Sequence, residues 1–427
     1  MMPVLLLFIL LPVTAFSEWK FSGNAGPYLN SLTLPTTTVA TSQKSGLMTE
    51  LRLDNKLNSH WRAKAEFFVR TDFIAKDSVE TFQWNPKNLY IQRKFNSVFI
   101  KAGFQTMAVD GPDIVNPADL VHSKNWVDPT SPVTYSSPGI SMSQEIDKWS
   151  WEVFYIPVQT KPVLPGEHSP WLPRKNRLPI ESYDTEFRIP DNVRYQYLGD
   201  KEIQHALRNN VAVKLQRKSE NLETQLLYYN GLSQSPYLLT QVNASLISVD
   251  PKQVLLVDSP VRLIPLYYRH QAIAGTFTLP LPRGFAIKGG MNWLKPMNDR
   301  RVPDETTTVV GSLEKNLETS IGMMTFIGEY IRQKRQVETQ INFLRSFFEE
   351  AISIGARIPW GEETTFLAGG IFDQRGNSSV TKYSVNRRLT NSWSLEGSTQ
   401  FLRGPKSTLI GLYNRYDSYR VAAVYAW

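Results

Sequence analysis

Apolar and polar residues alternate with a period of two through long stretches of this chain, the signature of strands with one apolar face. Leu47, Thr49, Leu51, Leu53 and Leu57 alternate with Met48, Glu50, Arg52, Asp54 and Lys56. A tight polar turn, Asn58-Ser59-His60, follows. Trp61, Ala63, Ala65, Phe67, Val69, Thr71 and Phe73 then alternate with Arg62, Lys64, Glu66, Phe68, Arg70 and Asp72. That second run is too long for an ordinary sheet, whose strands have about 5–6 residues. It suits a strand crossing a bilayer at a tilt, where roughly 9–11 are needed. The pattern recurs at Trp149–Tyr155, at Leu207–Gln216, at Phe285–Trp293 and at Trp393–Phe401. Several of these faces begin and end on an aromatic, as two interfacial girdles about a bilayer apart require.

The chain also ends on such a strand: Tyr419, Val421, Ala423, Tyr425 and Trp427 fall on one face, with nothing after the last aromatic. Termini of soluble domains usually fray into polar residues. In a closed barrel the last strand must instead pair with the first, and its tip sits at the aromatic girdle.

The connections are lopsided. Short turns are expected at 58–60, 96–97, 147–148, 218–220, 281–284, 316–319, 359–363 and 390–392. Long polar segments lie near 32–44, 75–87, 106–138, 158–203, 231–261, 295–304, 332–347, 375–379 and 404–417. Long loops on one side and tight turns on the other is the outer-membrane arrangement, with the short turns in the periplasm. Counting strands on either side of the turns gives an all-β, closed antiparallel transmembrane barrel of about 18 strands, an even number as such barrels prefer. Sixteen is the alternative, because Val337–Phe348 reads either as strand extension or as loop. A soluble β-sandwich also alternates, but it does not account for strand length, paired aromatics, loop asymmetry and Trp427 together.

Composition narrows the class further. Mean hydropathy is −0.29 and no apolar run reaches membrane-helix length, which excludes helical spanning. A polar lumen face keeps the mean low in a barrel. Leu5–Leu11 is an apolar run too short to span, followed by Pro12 and the small-x-small sequence Ala15-Phe16-Ser17. We read residues 1–17 as a signal peptide and 18–427 as the barrel, exported to the outer membrane of a Gram-negative cell. No Lys or Arg precedes the apolar run. Cysteine is absent, so there is no disulfide framework and no thiolate metal site. Lys and Arg number 47 against 39 Asp and Glu, a net charge of +8. With a secretion signal, lipid phosphate is a more natural counter-charge than nucleic acid.

The C-terminal strand, with Tyr425 two positions before Trp427, resembles the terminal signature of bacterial outer-membrane barrels. The stretch Phe99–Leu120 resembles the strand-to-loop passage of the DUF1302 family of proteobacterial outer-membrane barrels. In that family a Gly-Arg-Gln strand leads through a Trp-Gly pair to an acidic segment ending Asn-Pro-x-Asp-Leu. Gly103, Gln105, Asn116, Pro117, Asp119 and Leu120 match; Phe104 replaces the Arg, the Trp-Gly pair is missing and the intervening segment is shorter. The resemblance implies a porin-like barrel and says nothing of cargo.

Candidate chemistry concentrates in the loops and on the lumen face. The connection 106–138 is acidic at Asp110, Asp113 and Asp119 and stiffened by Pro112 and Pro117. Two readings stand: a constriction loop folded into the lumen, with Asn116 among its residues, or an Asx-type turn that only holds the loop. The three carboxylates lack the spacing of an EF-hand loop. Repeated proline in 158–203 denies long helix and central strand, so this is a loop that caps the pore, binds a ligand or serves as a plug. Basic residues at Arg300, Arg301, Arg332, Lys334 and Arg335, near outer loops, read as lipopolysaccharide-facing or as solvated charge. Arg52, Arg62, Lys64, Glu66, Arg70, Asp72, Arg208 and Lys214 read as pore-lining, in a wall so balanced that many are expected to be cross-strand ion pairs.

No Gly-x-Ser-x-Gly elbow or His-Glu-x-x-His motif is present, and His270 reads as a satisfied wall residue. The expectation is a channel without cofactor for passive diffusion of small solutes, narrowed by loops 106–138 and 158–203. Its partners would be outer-membrane lipid, lipopolysaccharide and the barrel-assembly machinery, with no nucleic acid. A plugged barrel that displays its loops, and an uptake channel for apolar molecules, are the alternatives.

Overall fold

The computed structural model describes residues 20–33, 43–172, 185–188, 193–241, 244–250, 253–297, 302, 305–335, 349–405 and 408–427. Eighteen strands form one antiparallel sheet: β1 (Lys20–Leu32), β2 (Gln43–Lys56), β3 (Trp61–Asp72), β4 (Phe82–Phe95), β5 (Val98–Gln105), β6 (Ser137–Ile146), β7 (Trp149–Val158), β8 (Arg208–Lys218), β9 (Glu223–Leu232), β10 (Arg269–Leu281), β11 (Phe285–Pro296), β12 (Thr306–Thr319), β13 (Gly322–Arg335), β14 (Glu350–Trp360), β15 (Thr364–Asp373), β16 (Ser379–Arg388), β17 (Trp393–Arg403) and β18 (Ser418–Ala426). Each pairs with its neighbours in the chain, and β1 pairs with β18, which closes the barrel. Closure leaves no edge strand, and it satisfies the backbone groups a bilayer cannot hydrogen-bond.

The seam runs from Asn24–Ala426 to Leu32–Ser418, and Trp427 extends it by one step. Trp427 exchanges backbone hydrogen bonds with Gly23 at 3.2 and 3.1 Å. Its indole also lies where a side chain at Gly23 would stand: a Cβ there would be 2.7 Å from the Trp427 ring and 2.6 Å from the Glu50 carbonyl oxygen. Tyr425 packs between neighbouring rings, 5.1 Å from Trp393 and 6.1 Å from Trp427.

The outward face follows the alternation. Leu47, Leu51, Val309, Leu313, Ile352 and Ile354 are exposed along the strands, and exposed aromatics mark both ends. On the short-turn side stand Phe95, Trp149, Phe285, Trp360, Trp393 and Trp427; on the long-loop side stand Phe73, Phe82, Trp84, Tyr330 and Tyr419. Arg93 lies over the rings of Trp61 and Phe95 at 5.0 and 4.2 Å, and Lys315 over Phe285 at 3.9 Å. The turn-side girdle thus carries its own cations, apolar below and wet above.

Asn96 and Asp147, with φ of 51° and 50°, open two of the two-residue turns, where short polar side chains tolerate the left-handed conformation. Several boundaries need correction, among them the loop read as 158–203, which runs on through a short helix, Asp200–Leu207. The turn expected at 316–319 lies instead at 320–321, because Asn316–Thr319 continue β12 and pair with Gly322–Thr325 of β13. Strand β4 begins at Phe82, inside the segment 75–87 read as loop. The outer loop expected at 231–261 runs on to residue 268. The segment Val337–Phe348 and residues 1–17, read from the sequence as a signal peptide, lie outside the described residues.

The long loops build a second layer over the mouth. Val193–Tyr195, Tyr237–Gln241 and Val261–Leu266 form one small sheet, and Thr185–Arg188, Ala244–Ser248 and Gln253–Val257 another. These join the β7–β8 loop to the β9–β10 loop. Trp171, from the loop after β7, packs 5.4 Å from Tyr413 and 6.1 Å from Tyr416 of the β17–β18 loop. Tyr413 donates its hydroxyl proton to the Trp171 carbonyl at 2.7 Å. Loops from well-separated strands therefore meet in one apolar cap with Trp126, Leu164 and Ile410.

Candidate functional site

Inside the barrel, the wall is not uniformly polar. On the lumen face of β7–β10 stand Phe154, Ile156, Ala212, Leu227, Tyr229, Ala272 and Ala274, all essentially without solvent exposure, and Met107, Ala118, Leu120 and Val121 of the β5–β6 loop pack on them. Leu226-Leu227-Tyr228-Tyr229 is apolar on both faces because one face meets the membrane and the other meets this loop. A local loss of alternation was the signal available in the sequence.

From that anchor the loop runs along the inner wall. Lys214 (β8) donates to the Ala108 carbonyl at 2.8 Å. Asp110 is held three times: its N–H donates to Gln225 Oε1 (β9) at 3.2 Å, its carbonyl accepts from Thr276 (β10) at 2.8 Å, and its carboxylate accepts from Gln216 (β8) at 2.6 Å. The Asp113 carboxylate pairs with Lys288 (β11) at 2.6 Å, and the same ammonium holds Glu314 (β12) at 2.8 Å. Three successive backbone N–H groups, of Asp113, Ile114 and Val115, donate to the carboxylate of Glu329 (β13) at 2.9, 3.0 and 3.1 Å. Asn292 (β11) donates to the Pro117 carbonyl at 2.6 Å. Gly290 leaves the room this requires, since a Cβ there would stand 2.6 Å from the Pro117 ring.

Asn116 also makes the Asx-type turn: its Oδ1 accepts from Ala118 N–H at 2.9 Å while its Nδ2 donates to the Val109 carbonyl at 3.0 Å. The turn and the lumenal path coexist in one segment. Asp119 pairs with Lys124 at 2.9 Å. His122 fastens the two ends of the segment, its Nε2 accepting from Met107 N–H at 2.7 Å. Complete burial pushes its pKa down to about 4, with smaller effects from Asp119 and Lys124.

The basic and acidic residues on β2–β4 form a separate ladder. Arg52 contacts Glu50 at 3.0 Å and Glu66 at 3.6 Å, Lys64 contacts Glu66 at 3.1 Å, and Lys87 contacts Glu50 at 2.8 Å. Arg62 pairs with Asp54 through Nε at 2.8 Å. Nearer the mouth, Arg70 lies 4.5 Å from the Tyr28 ring, and buried Asp72 accepts from the Tyr28 hydroxyl at 3.2 Å and from the N–H groups of Ile74 and Ala75. Lys214 also pairs with Glu152 at 3.0 Å. Arg208 is exposed at the outer end of β8, where Asn209, at φ 55°, interrupts the alternation; its carbonyl accepts from the Arg269 guanidinium. Arg332 and Lys334 are exposed near the outer end of β13, alternating with lumen-side Ile331 and Gln333. Arg300 and Arg301 lie outside the described residues, as does the side chain of Arg335.

Sequence reasoning missed Glu329, Gln225, Thr276 and Asn292, the residues that hold the inner segment. Each is one polar residue among many on an alternating strand.

Solved outer-membrane proteins share this architecture. A BenF-like porin from Pseudomonas fluorescens Pf-5 superposes with a TM-score of 0.57 at 9% identity, covering 96% of this chain and 99% of its own. OccAB3 of Acinetobacter baumannii gives 0.56 at 8% identity, covering 96% and 99%, and OccAB2 of the same organism gives 0.52 at 8%, covering 96% and 98%. At such identities the likeness shows the fold. No family model and no curated protein matches the chain, so the likeness to the DUF1302 family rests on the residues of 99–120 alone.

Proposed function

We propose that this protein is an outer-membrane channel for passive diffusion of small solutes, narrowed from within by the 106–138 loop. One observation carries the reading: residues 108–117 run inside the barrel and are bonded to lumen-facing side chains of β8, β9, β10, β11 and β13, while Glu314 of β12 shares the Lys288 ammonium that Asp113 holds. A segment so fixed takes up part of the lumen's cross-section, and its Asp110 and Asp113 side chains keep 55% and 42% of their surface exposed. The wall opposite, on β2–β4, carries charge of both signs in close pairs, which suits weak bulk selectivity. The loop 158–203 restricts the mouth through the cap around Trp171. Arg332 and Lys334, with Arg300, Arg301 and Arg335, would meet lipopolysaccharide phosphates. Tyr425 and Trp427 would be read by the barrel-assembly machinery.

The cap supports a second reading, a barrel closed at its mouth that serves to display its loops. Current through purified protein in planar bilayers separates the two. Steady open-channel current establishes the channel, and its absence, in protein shown by heat-dependent gel migration to be folded, establishes the closed barrel. An uptake channel for apolar molecules would pass little ion current and would instead speed entry of such molecules into vesicles.

A further inference from the structure

On the outer side of the Asp113–Pro117 segment, between it and the wall of β10–β13, lies a recess of about 470 Å³. This is in the range of sites for single small molecules. Its polar wall includes His270, Asn292, Thr308 and Gln333; Ile114, Leu120, Leu294 and Ile331 supply an apolar face, with Trp126 at one side. His270 is 2% exposed, and among the described residues neither ring nitrogen has a hydrogen-bond partner. Its nearest aromatic neighbour, Tyr229, stands edge-on at 5.4 Å and spends its hydroxyl on the Leu232 carbonyl. The satisfied wall histidine expected from the sequence is therefore not what the fold contains. A buried imidazole with both nitrogens unmatched is an exception among buried polar groups and calls for a partner.

The surrounding charges say which kind. Lys124 is held by Asp119, and Lys288 is shared between Asp113 and Glu314. Among the described residues of the lining carboxylates outnumber ammonium groups, and the cation there, Lys124, is already paired, so an anion gains no uncommitted partner from them. The carboxylates are themselves engaged, so a cation gains little. A neutral imidazole offers one donor and one acceptor, and a hydroxyl can accept from the N–H or donate to the bare nitrogen, so it matches whichever of the two faces the recess. We propose that this recess is a binding site for an uncharged amphipathic solute, with a hydroxyl against His270 and an apolar body against the Ile114–Ile331 face. The proposal deepens the channel reading by naming a solute class, but binding itself does not require conduction.

The test uses the full chain in detergent, labelled with ¹⁵N-histidine. Only 5 histidines contribute signals, and His270 is assigned by its loss in His270→Ala. Benzyl alcohol, benzoate and benzylammonium are the probes, equal in size and different in charge. Benzyl alcohol should shift the His270 ring resonances saturably, at concentrations about tenfold lower than either charged probe, as expected when a buried hydrogen bond is made without a charge to desolvate. His270→Ala should weaken binding of the alcohol by a similar factor, read in both proteins by saturation transfer to the alcohol's ring protons, while heat-dependent gel migration is unchanged. Benzoate binding as well or better, equal shifts of all histidines, or a His270 signal indifferent to every probe (a recess that holds water only) would each overturn the proposal. Current without binding leaves the channel standing and sinks the site; binding without current does the reverse.

Discussion

Glu329 offers the sharpest test of how the inner segment is held. Its carboxylate accepts the N–H groups of Asp113, Ile114 and Val115 at 2.9–3.1 Å, and its residue is only 2% exposed. Hydrogen bonds to charged groups contribute about 1.5–3 kcal/mol each. Burying the carboxylate offsets much of that gross figure, so we take a net of about 3 kcal/mol for the three together. At about 1.4 kcal/mol per decade, Glu329→Ala should raise the population of the released segment about 10²-fold. Glu329→Gln keeps one carbonyl acceptor and turns an amide toward the remaining N–H groups, so it should fall between. Backbone hydrogen exchange of peptides covering 108–118 reads this population directly, because an amide exchanges when its bond opens. The strands of β2–β4 serve as an internal control and should not change. In planar bilayers the alanine variant should add excursions to higher current. If exchange at 113–115 is the same in wild type and Glu329→Ala, the segment is held by Lys288, Asn292 and the apolar anchor instead, and the reasoning about the carboxylate is wrong.

Acid should loosen the same loop through His122. Its folded pKa of about 4 lies below the ordinary 6.5, so the released state binds more protons. Docking is then at full strength above about pH 6.5, weakens as pH falls and loses about 3 kcal/mol by about pH 4. Exchange of the Met107 region, corrected for intrinsic rate, should show this loss, and His122→Gln should flatten it; a flat wild-type profile would refute it. Neutralising Asp110, Asp113 and Asp119 together should shift reversal potentials under a salt gradient toward anions, and more at 0.1 M than at 1 M salt, where the Debye length falls from about 10 Å to about 3 Å. An unchanged reversal potential would put these groups outside the conducting path. Deleting Trp427, or replacing Gly23 by Val so that its side chain meets the indole, should lower the amount of assembled barrel, whereas shortening 163–180 should not; normal levels without Trp427 would remove the terminal residue from the closing step.

The sequence by itself determined the barrel. A period of two over strands longer than a globular sheet uses, aromatics at both ends of one face, and the alternating aromatic strand Tyr419–Trp427 are local properties, and each survives in the structure as an outward face, two girdles and the β1–β18 seam. Closure follows because a bilayer offers no partner to a free strand edge. Local pattern also marked 106–120 as unusual, through its acidic residues and prolines. It left the constriction and the Asx turn as rivals, and Asn116 in fact makes the turn while its neighbours are bonded to the wall. What the sequence could not decide is which wall residues the loop would meet. Glu329 lies more than two hundred positions from Asp113, and its role exists only once β8–β13 stand side by side and the loop turns inward. The same holds for His270. An alternating strand requires a residue at that place facing the lumen, but whether the loop above it supplies a hydrogen bond or leaves a recess depends on the path of Asp113–Leu120. Tertiary packing fixed that path, by the apolar anchor on Leu227 and Tyr229 and the room left at Gly290.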